Sequence, residues 1–243
     1  MVDSQNLLPL STRIRYMLTP KRLYARIRAR RDGRKGEPEL RLLPFLVSPG
    51  GTAIDGGANR GVYSTCLSPL CQTVHAFEPN PAMNKYLRSA APANVTVSNQ
   101  ALSDQKGTAE FSIPIVSENK LQHTGGSLNS VDQSDQAVTF SVETTTIDEL
   151  GFTNVSLIKL DLEGFEYQAL RGGIKTIQRD KPVLIIEIHP DLGAATRDDL
   201  INEMISWEYL PFVLDHGKLV TLDFFLRTGQ TRPASHNFIF LSR

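Results

Sequence analysis

Short apolar runs alternate with helix-spaced stretches along most of the chain. "TAIDGG" (52–57), "TVHAFEPN" (73–80), "NVTVSNQAL" (94–102), "VSLIKLDLEG" (155–164) and "PVLIIEIHP" (182–190) all have this form. Runs that are apolar without alternation and end in Gly, Pro or Asn read as strands buried on both faces. Between them, 61–70, 81–90, 164–178 and 195–207 read as helices. That rhythm predicts βα units feeding a mostly parallel, doubly wound α/β sheet. Gly107–Leu150 departs from it: "GTAEFSIPI" and "AVTFSVETTTI" predict a β-hairpin insertion near the sheet's edge, around a polar loop at Val116–Gln136. Further on, "YLPFVLD", "KLVTLDF" and "NFIFLSR" have no long helix between them and predict antiparallel C-terminal strands.

Charge divides the chain once. Lys and Arg total 26 and so do Asp and Glu, yet residues 11–35 hold ten Lys/Arg against Asp32 alone. The segment is therefore +9 and the remainder −9. Residues 1–36 read as a basic arm or helix and 37–243 as a single domain. Ile14, Met17, Leu18, Leu23, Tyr24 and Ile27 recur at roughly helical spacing, permitting a basic amphipathic helix interrupted at Pro20. Such a helix suits an anionic membrane surface. The zero net charge of the whole chain does not suggest nucleic acid as a partner. Cys66 and Cys71 form neither a CxxC pair nor a disulfide framework. No run reaches the ~20 apolar residues that a spanning helix needs, and no signal peptide is legible. The expected location is the reducing cytoplasm, with peripheral membrane contact through the basic segment.

The chemistry concentrates at "AIDGGANRGVYS" (53–64). In open α/β sheets a ligand lies beyond the C-terminal strand ends, and glycine lets the backbone approach it. The dinucleotide fingerprint GxGxxG would need glycine at position 58, which is Ala58. The pattern that fits is D-x-G-x-x-x-G, with Asp55, Gly57 and Gly61. A carboxylate at that strand end repels a pyrophosphate and attracts the ammonium and sulfonium of S-adenosylmethionine. A nicotinamide-dependent oxidoreductase is thereby disfavoured. Glu78, beside Pro79 and 23 residues after Asp55, stands near the ~20-residue offset of a ribose-binding acid. At "NQALSD" (99–104), Ala101 and Leu102 offer apolar contact to adenine, and Asn99, Ser103 or Asp104 would read the ring edge.

Taken in order, "IDGGANRGVYS", "FEPNP", "NQALSD", "TTTIDEL", "IKLDLEGFEYQALRGG" and "VLIIEIHP" resemble the FkbM-type S-adenosylmethionine-dependent methyltransferases, from about Pro44 to Pro190. The resemblance implies a seven-stranded, Rossmann-like class I methyltransferase fold. It also implies O-methylation of a hydroxyl on a sugar, glycan, polyketide or similar small molecule. By resemblance Asp55, Gly57, Asn59 and Gly61 hold the methionine end of the cofactor and Glu78 its ribose, while Gly56 replaces the usual apolar residue. Methyl transfer needs alignment and one base. Asp161, Glu163 and Glu166 follow the fourth strand, where Asp161 should face both cofactor and methyl, and Glu166 reads as a solvated helix residue. Glu187 and His189 end the fifth strand. Histidine, with an ordinary pKa near ~6.5, accepts protons at neutral pH, which makes His189 the candidate base. Asp161, Glu187 and His189 also leave a divalent metal open, though not favoured. The rival reading from another class is a non-catalytic scaffold or membrane-associated binding protein.

Overall fold

A computed structural model describes residues 20–117, 120–121, 128, 137–189, 194–230, 233 and 235–243. Helix α1 (Lys21–Lys35), a 3-10 turn (Pro38–Arg41) and the one-turn α2 (Leu43–Leu46) precede the sheet. Then β1 (Thr52–Gly56), α3 (Val62–Leu67), β2 (Thr73–Phe77), α4 (Pro81–Ala90) and β3 (Val95–Ser98) alternate. Helix α4 starts where the sequence dictates: the Asn80 side chain accepts from the Ala82 and Met83 amides and Pro81 fills the first helical turn.

The predicted strand 94–102 is split. After β3 the chain leaves the main sheet as β4 (Ala101–Leu102), β5 (Gly107–Ser117), β6 (Lys120–Leu121) and β7 (Ala137–Thr145). These form their own sheet, ordered β4-β7-β5-β6, rather than an edge of the main one. The antiparallel β5–β7 pairing matches the expected hairpin. Its physical reason for standing apart is a separate core of Ala101, Phe111, Ile113 and Val142. Most of the expected loop at Val116–Gln136 lies outside the described residues.

The chain returns as β8 (Val155–Leu160), α5 (Glu166–Arg171), α6 (Ile174–Asp180), β9 (Val183–Glu187), α7 (Ala194–Ser206), β10 (Tyr209–Asp215), β11 (Lys218–Thr221), α8 (Leu222–Arg227) and β12 (Asn237–Ser242). The single helix predicted at 164–178 is two, because Gly172 packs directly on the Ser103 carbonyl, where a Cβ would stand 2.0 Å away. Order across the main sheet is β11-β10-β12-β9-β8-β1-β2-β3. β3, β2, β1, β8 and β9 are mutually parallel, and β12 runs antiparallel between β9 and β10. This is the expected class I arrangement with β11 added at one edge. Neighbours along each strand face opposite layers: Ile54, Ile158, Ile186 and Phe240 pack on one side, and Ala53, Leu157, Ile185 and Ile239 on the other. Each such large aliphatic or aromatic side chain contributes about 1.5–3 kcal/mol on burial.

Helix α1 departs from the amphipathic reading. Leu23 and Ile27 are exposed, whereas Ala25 and Ala29 are buried and the helix packs on α3 and α4. Small alanines let the helix sit close to its neighbours, and the larger aliphatic residues fall on the outer face. Ile14, Met17 and Leu18 lie outside the described residues. Among the described residues no helix is long and apolar enough to cross a membrane.

Candidate active site

The sheet reverses direction of progress at β1: β2 and β3 extend it one way, and β8 and β9 the other. Such a switch point opens a crevice beyond the C-terminal strand ends. The chain crosses it through Gly57, whose φ is +75° and where a Cβ would lie 1.8 Å from the Asp161 carbonyl oxygen. Only glycine lets the β1 and β8 exits touch in this way. Gly56 lies just before it on β1, and Gly61 caps the start of α3.

Each expected acid stands at a strand exit. Asp55 is 2% exposed, and its Oδ2 accepts the Ser64 hydroxyl at 2.5 Å. Glu78, 5% exposed, accepts the Asn59 amide at 2.6 Å through Oε2 and the Asn80 amide at 2.8 Å through Oε1. The "FEPNP" stretch thus has a local logic: Asn80 orients Glu78 with its amide and caps α4 with its side chain. Past β8, Asp161 lies 3.8 Å from the Nζ of Lys159. Glu166 corrects the sequence reading. It is buried, and its carboxylate accepts the Leu162 and Gly164 amides, so it shapes the loop that presents Asp161 and Glu163.

Two abutting cavities use these groups. The first, narrow at about 50 Å³, is lined by Gly57, Asn59, Glu78, Pro79, Ala101 and Leu102, with Gln100, Phe111, Leu128 and Phe165. The second, about 400 Å³, is lined by Asp55, Lys159, Glu187 and His189, with Arg28, Glu37, Arg60 and Tyr63. Gly57, Asn59, Asp161 and Glu163 border both. The structure therefore brings together Asp55, Gly57, Asn59, Glu78, Pro79, Ala101, Leu102, Asp161, Glu187 and His189. Asn99, Ser103 and Asp104 do not line the first cavity; Gln100 does. The chain enters β4 at Ala101, the Ser103 amide donates to Thr145, and its hydroxyl turns to Asp104. Asp161, Glu187 and His189 do not converge as ligands: among the described residues no three His, Cys, Asp or Glu side chains form a group that could hold a metal ion.

Electrostatically, the crevice is crowded with acid. Burial raises Asp55 to about 6 and Glu78 to about 7, although hydrogen bonds to each act the other way. Glu163 rises to about 7 through burial and the charge of Asp161, and Glu37 to about 7 chiefly through burial. Glu187 is pushed well above the carboxylate range, first by its hydrogen bond to Asp161 and then by burial. Acids with raised values gathered in one cleft mark a candidate functional site.

Some components escaped the sequence reading. Lys159, 1% exposed, lies 5.2 Å over the Tyr63 ring; a lysine inside the apolar run "LIKLDL" was the available signal. His236 stacks edge-on to His189 at 5.3 Å, and nothing in the sequence links two residues so far apart.

An open sheet reversing at β1, with a glycine turn and acids beneath the crevice, is the frame of a nucleotide-cofactor-binding α/β protein. The Methyltransferase FkbM domain matches residues 55–217. The chain belongs to that family, the FkbM-type S-adenosylmethionine-dependent methyltransferases. It is 27% identical over 182 residues to the hexuronic acid methyltransferase AglP of Haloferax volcanii, covering 71% of this chain and 70% of that one. Among solved structures it is similar to the methyltransferase FkbM from Methylobacillus flagellatus KT, with 16% identity and a TM-score of 0.48. That match covers 84% of this chain and 51% of the other, so the chain spans about half its length. It is also similar to SMU.1697c from Streptococcus mutans in complex with SAH, with 12% identity, a TM-score of 0.49, and 85% and 97% of the two chains covered.

Proposed function

We propose that this protein methylates a hydroxyl oxygen of a sugar or similar small polar acceptor, using S-adenosylmethionine. The observation that carries the cofactor assignment is the Glu78 carboxylate, fixed by two backbone amides at the end of β2 and facing the first cavity. Its remaining lone pairs would accept the two ribose hydroxyls. Ala101, Leu102 and Phe111 supply apolar faces for adenine, and Gln100 replaces Asn99, Ser103 and Asp104 as the polar group at its edge. Asp161, which borders both cavities, and Asp55, which lines the second, would offset the positive charge of the methionine end. The sugar-type acceptor is supported by the relative that acts on hexuronic acid.

When bound, the cofactor supplies a methyl group on a positively charged sulfur. The chain's task is alignment and removal of one proton. His189, which lines the second cavity with Glu187, would accept the acceptor's hydroxyl proton, and His236 braces its ring. The hydrogen bond to Asp161 and burial favour the protonated form of Glu187, which leaves the base role to His189. Calorimetry with S-adenosylmethionine and NAD, followed by methyl transfer to a panel of hexuronates and neutral sugars, tests the reading. NAD binding without S-adenosylmethionine binding would overturn it.

Replacing Glu78 by alanine should weaken S-adenosylmethionine by roughly 1.5–3 kcal/mol, the range for hydrogen bonds to charged groups. Circular dichroism should remain that of the native protein. Unchanged affinity in calorimetry would remove Glu78 from the ribose site.

Cofactor binding should also release protons. Asp55, Glu78 and Glu163 hold protons into the range of about 6 to about 7, and an adjacent cation favours their ionised forms. Affinity should therefore rise with pH through that window and level off above it. Below it, each coupled proton lowers affinity by up to about tenfold per pH unit. Titrations in buffers of different ionisation enthalpy measure this directly, and proton uptake on binding would contradict it.

A further inference from the structure

Helix α1 lies outside the segment shared with the family, residues 55–217, yet it contributes to the second cavity. Its inner face is set by Ala25 and Ala29, buried against α3 and α4, and Arg28 lies between them in sequence on that face. Arg28 is half-buried and lines the cavity that also holds His189. Arg60, half-buried on the turn after β1, lines it too. An arginine that buries its stem while presenting its guanidinium to a cavity offers a rigid fork matched to a planar carboxylate.

We propose that α1 is an acceptor-recognition element whose Arg28, with Arg60 lining the same cavity, holds a carboxylate of the acceptor while its hydroxyl faces His189. This rests on the methyltransferase reading above and adds the acceptor's charge class. A carboxylate fits better than a phosphate. The cavity already holds Glu37, Asp55, Asp161, Glu163 and Glu187, and a monoanion meets less repulsion there than a dianion.

The test titrates methyl glucuronide, glucose 6-phosphate and methyl glucoside into the full-length protein, with and without saturating S-adenosylhomocysteine. The glucuronide should bind at least about tenfold tighter than the glucoside, a typical gain for a charged hydrogen-bonded pair. Arg28→Gln should erase that preference. Arg26→Gln, on the exposed face of the same helix, should keep it. Affinity for S-adenosylhomocysteine should be equal in all three proteins. Equal binding of glucuronide and glucoside, or tighter binding of the phosphate, overturns the proposal. So does an Arg28→Gln protein that loses S-adenosylhomocysteine instead, since Arg28 would then serve the cofactor. Failure of the wild type to bind S-adenosylhomocysteine overturns the cofactor reading, and the glucuronide preference without it is read separately.

Discussion

Replacing His189 by alanine should lower single-turnover methyl transfer by about 10²–10⁴-fold, the contribution of a positioned general base. S-adenosylmethionine affinity should stay nearly constant, because the residues proposed to hold the cofactor lie on β1, β4 and β5 and at the exits of β1, β2 and β8, and none lies beyond β9. Asp161→Asn should behave differently. A carboxylate beside a cation stabilises the ground state as well as the transition state, so affinity and rate should fall together. The two variants are separated by measuring cofactor affinity beside the single-turnover rate: the His189 protein should lose rate alone, and the Asp161 protein should lose both. A His189→Ala enzyme with the wild-type rate would move the base to Asp161 or Glu187.

Gly57→Ala should be the most disruptive single methyl in the site. The new Cβ meets a backbone carbonyl at 1.8 Å, and φ is +75°. A left-handed conformation costs a side chain roughly 1–2 kcal/mol and overpacking about 1–3. A loss of about 2–5 kcal/mol in urea denaturation is therefore expected. Cofactor binding should be lost with it, because relief of the clash must part the β1 and β8 exits from which Asp55 and Asp161 project. Native stability and affinity in this variant would mean that the loop adapts and the contact is incidental.

What could be read from the chain follows from locality. Asp55, Gly57 and Glu78 announce themselves because each ends a short apolar run, and strand ends define the crevice in any open α/β sheet. Helix α4 was legible to the residue, since its cap and its first-turn proline are adjacent in sequence. Glu166 was misread because its position on a helix says nothing about a preceding loop curling back over its carboxylate. Gln100 lines the first cavity where Asn99, Ser103 or Asp104 was expected, because the point at which the chain leaves β3 for β4 is set by packing against distant segments. Helix α1 was read by the spacing of its larger residues, while its packing is decided by two alanines. The His189–His236 pair and the position of Arg28 depend on contacts between distant segments, which no local pattern encodes.

β12 lies between β9 and β10, although it follows both in sequence. The β10–β11 hairpin cannot take its final place until Asn237–Ser242 have been inserted beside β9, with Asn237 opposite Glu187. During synthesis the β1–β2–β3 half can pair early. The β9 edge stays open until the chain through Ser242 has been made, exposing Leu184, Ile185 and Ile186 in the meantime. Such a late, long-range closure is entropically costly and slows folding. The proposed base is therefore among the last parts of the site to become organised, because His236 reaches His189 only through this strand. Refolding followed by a probe at the histidine pair should lag behind one at Glu78.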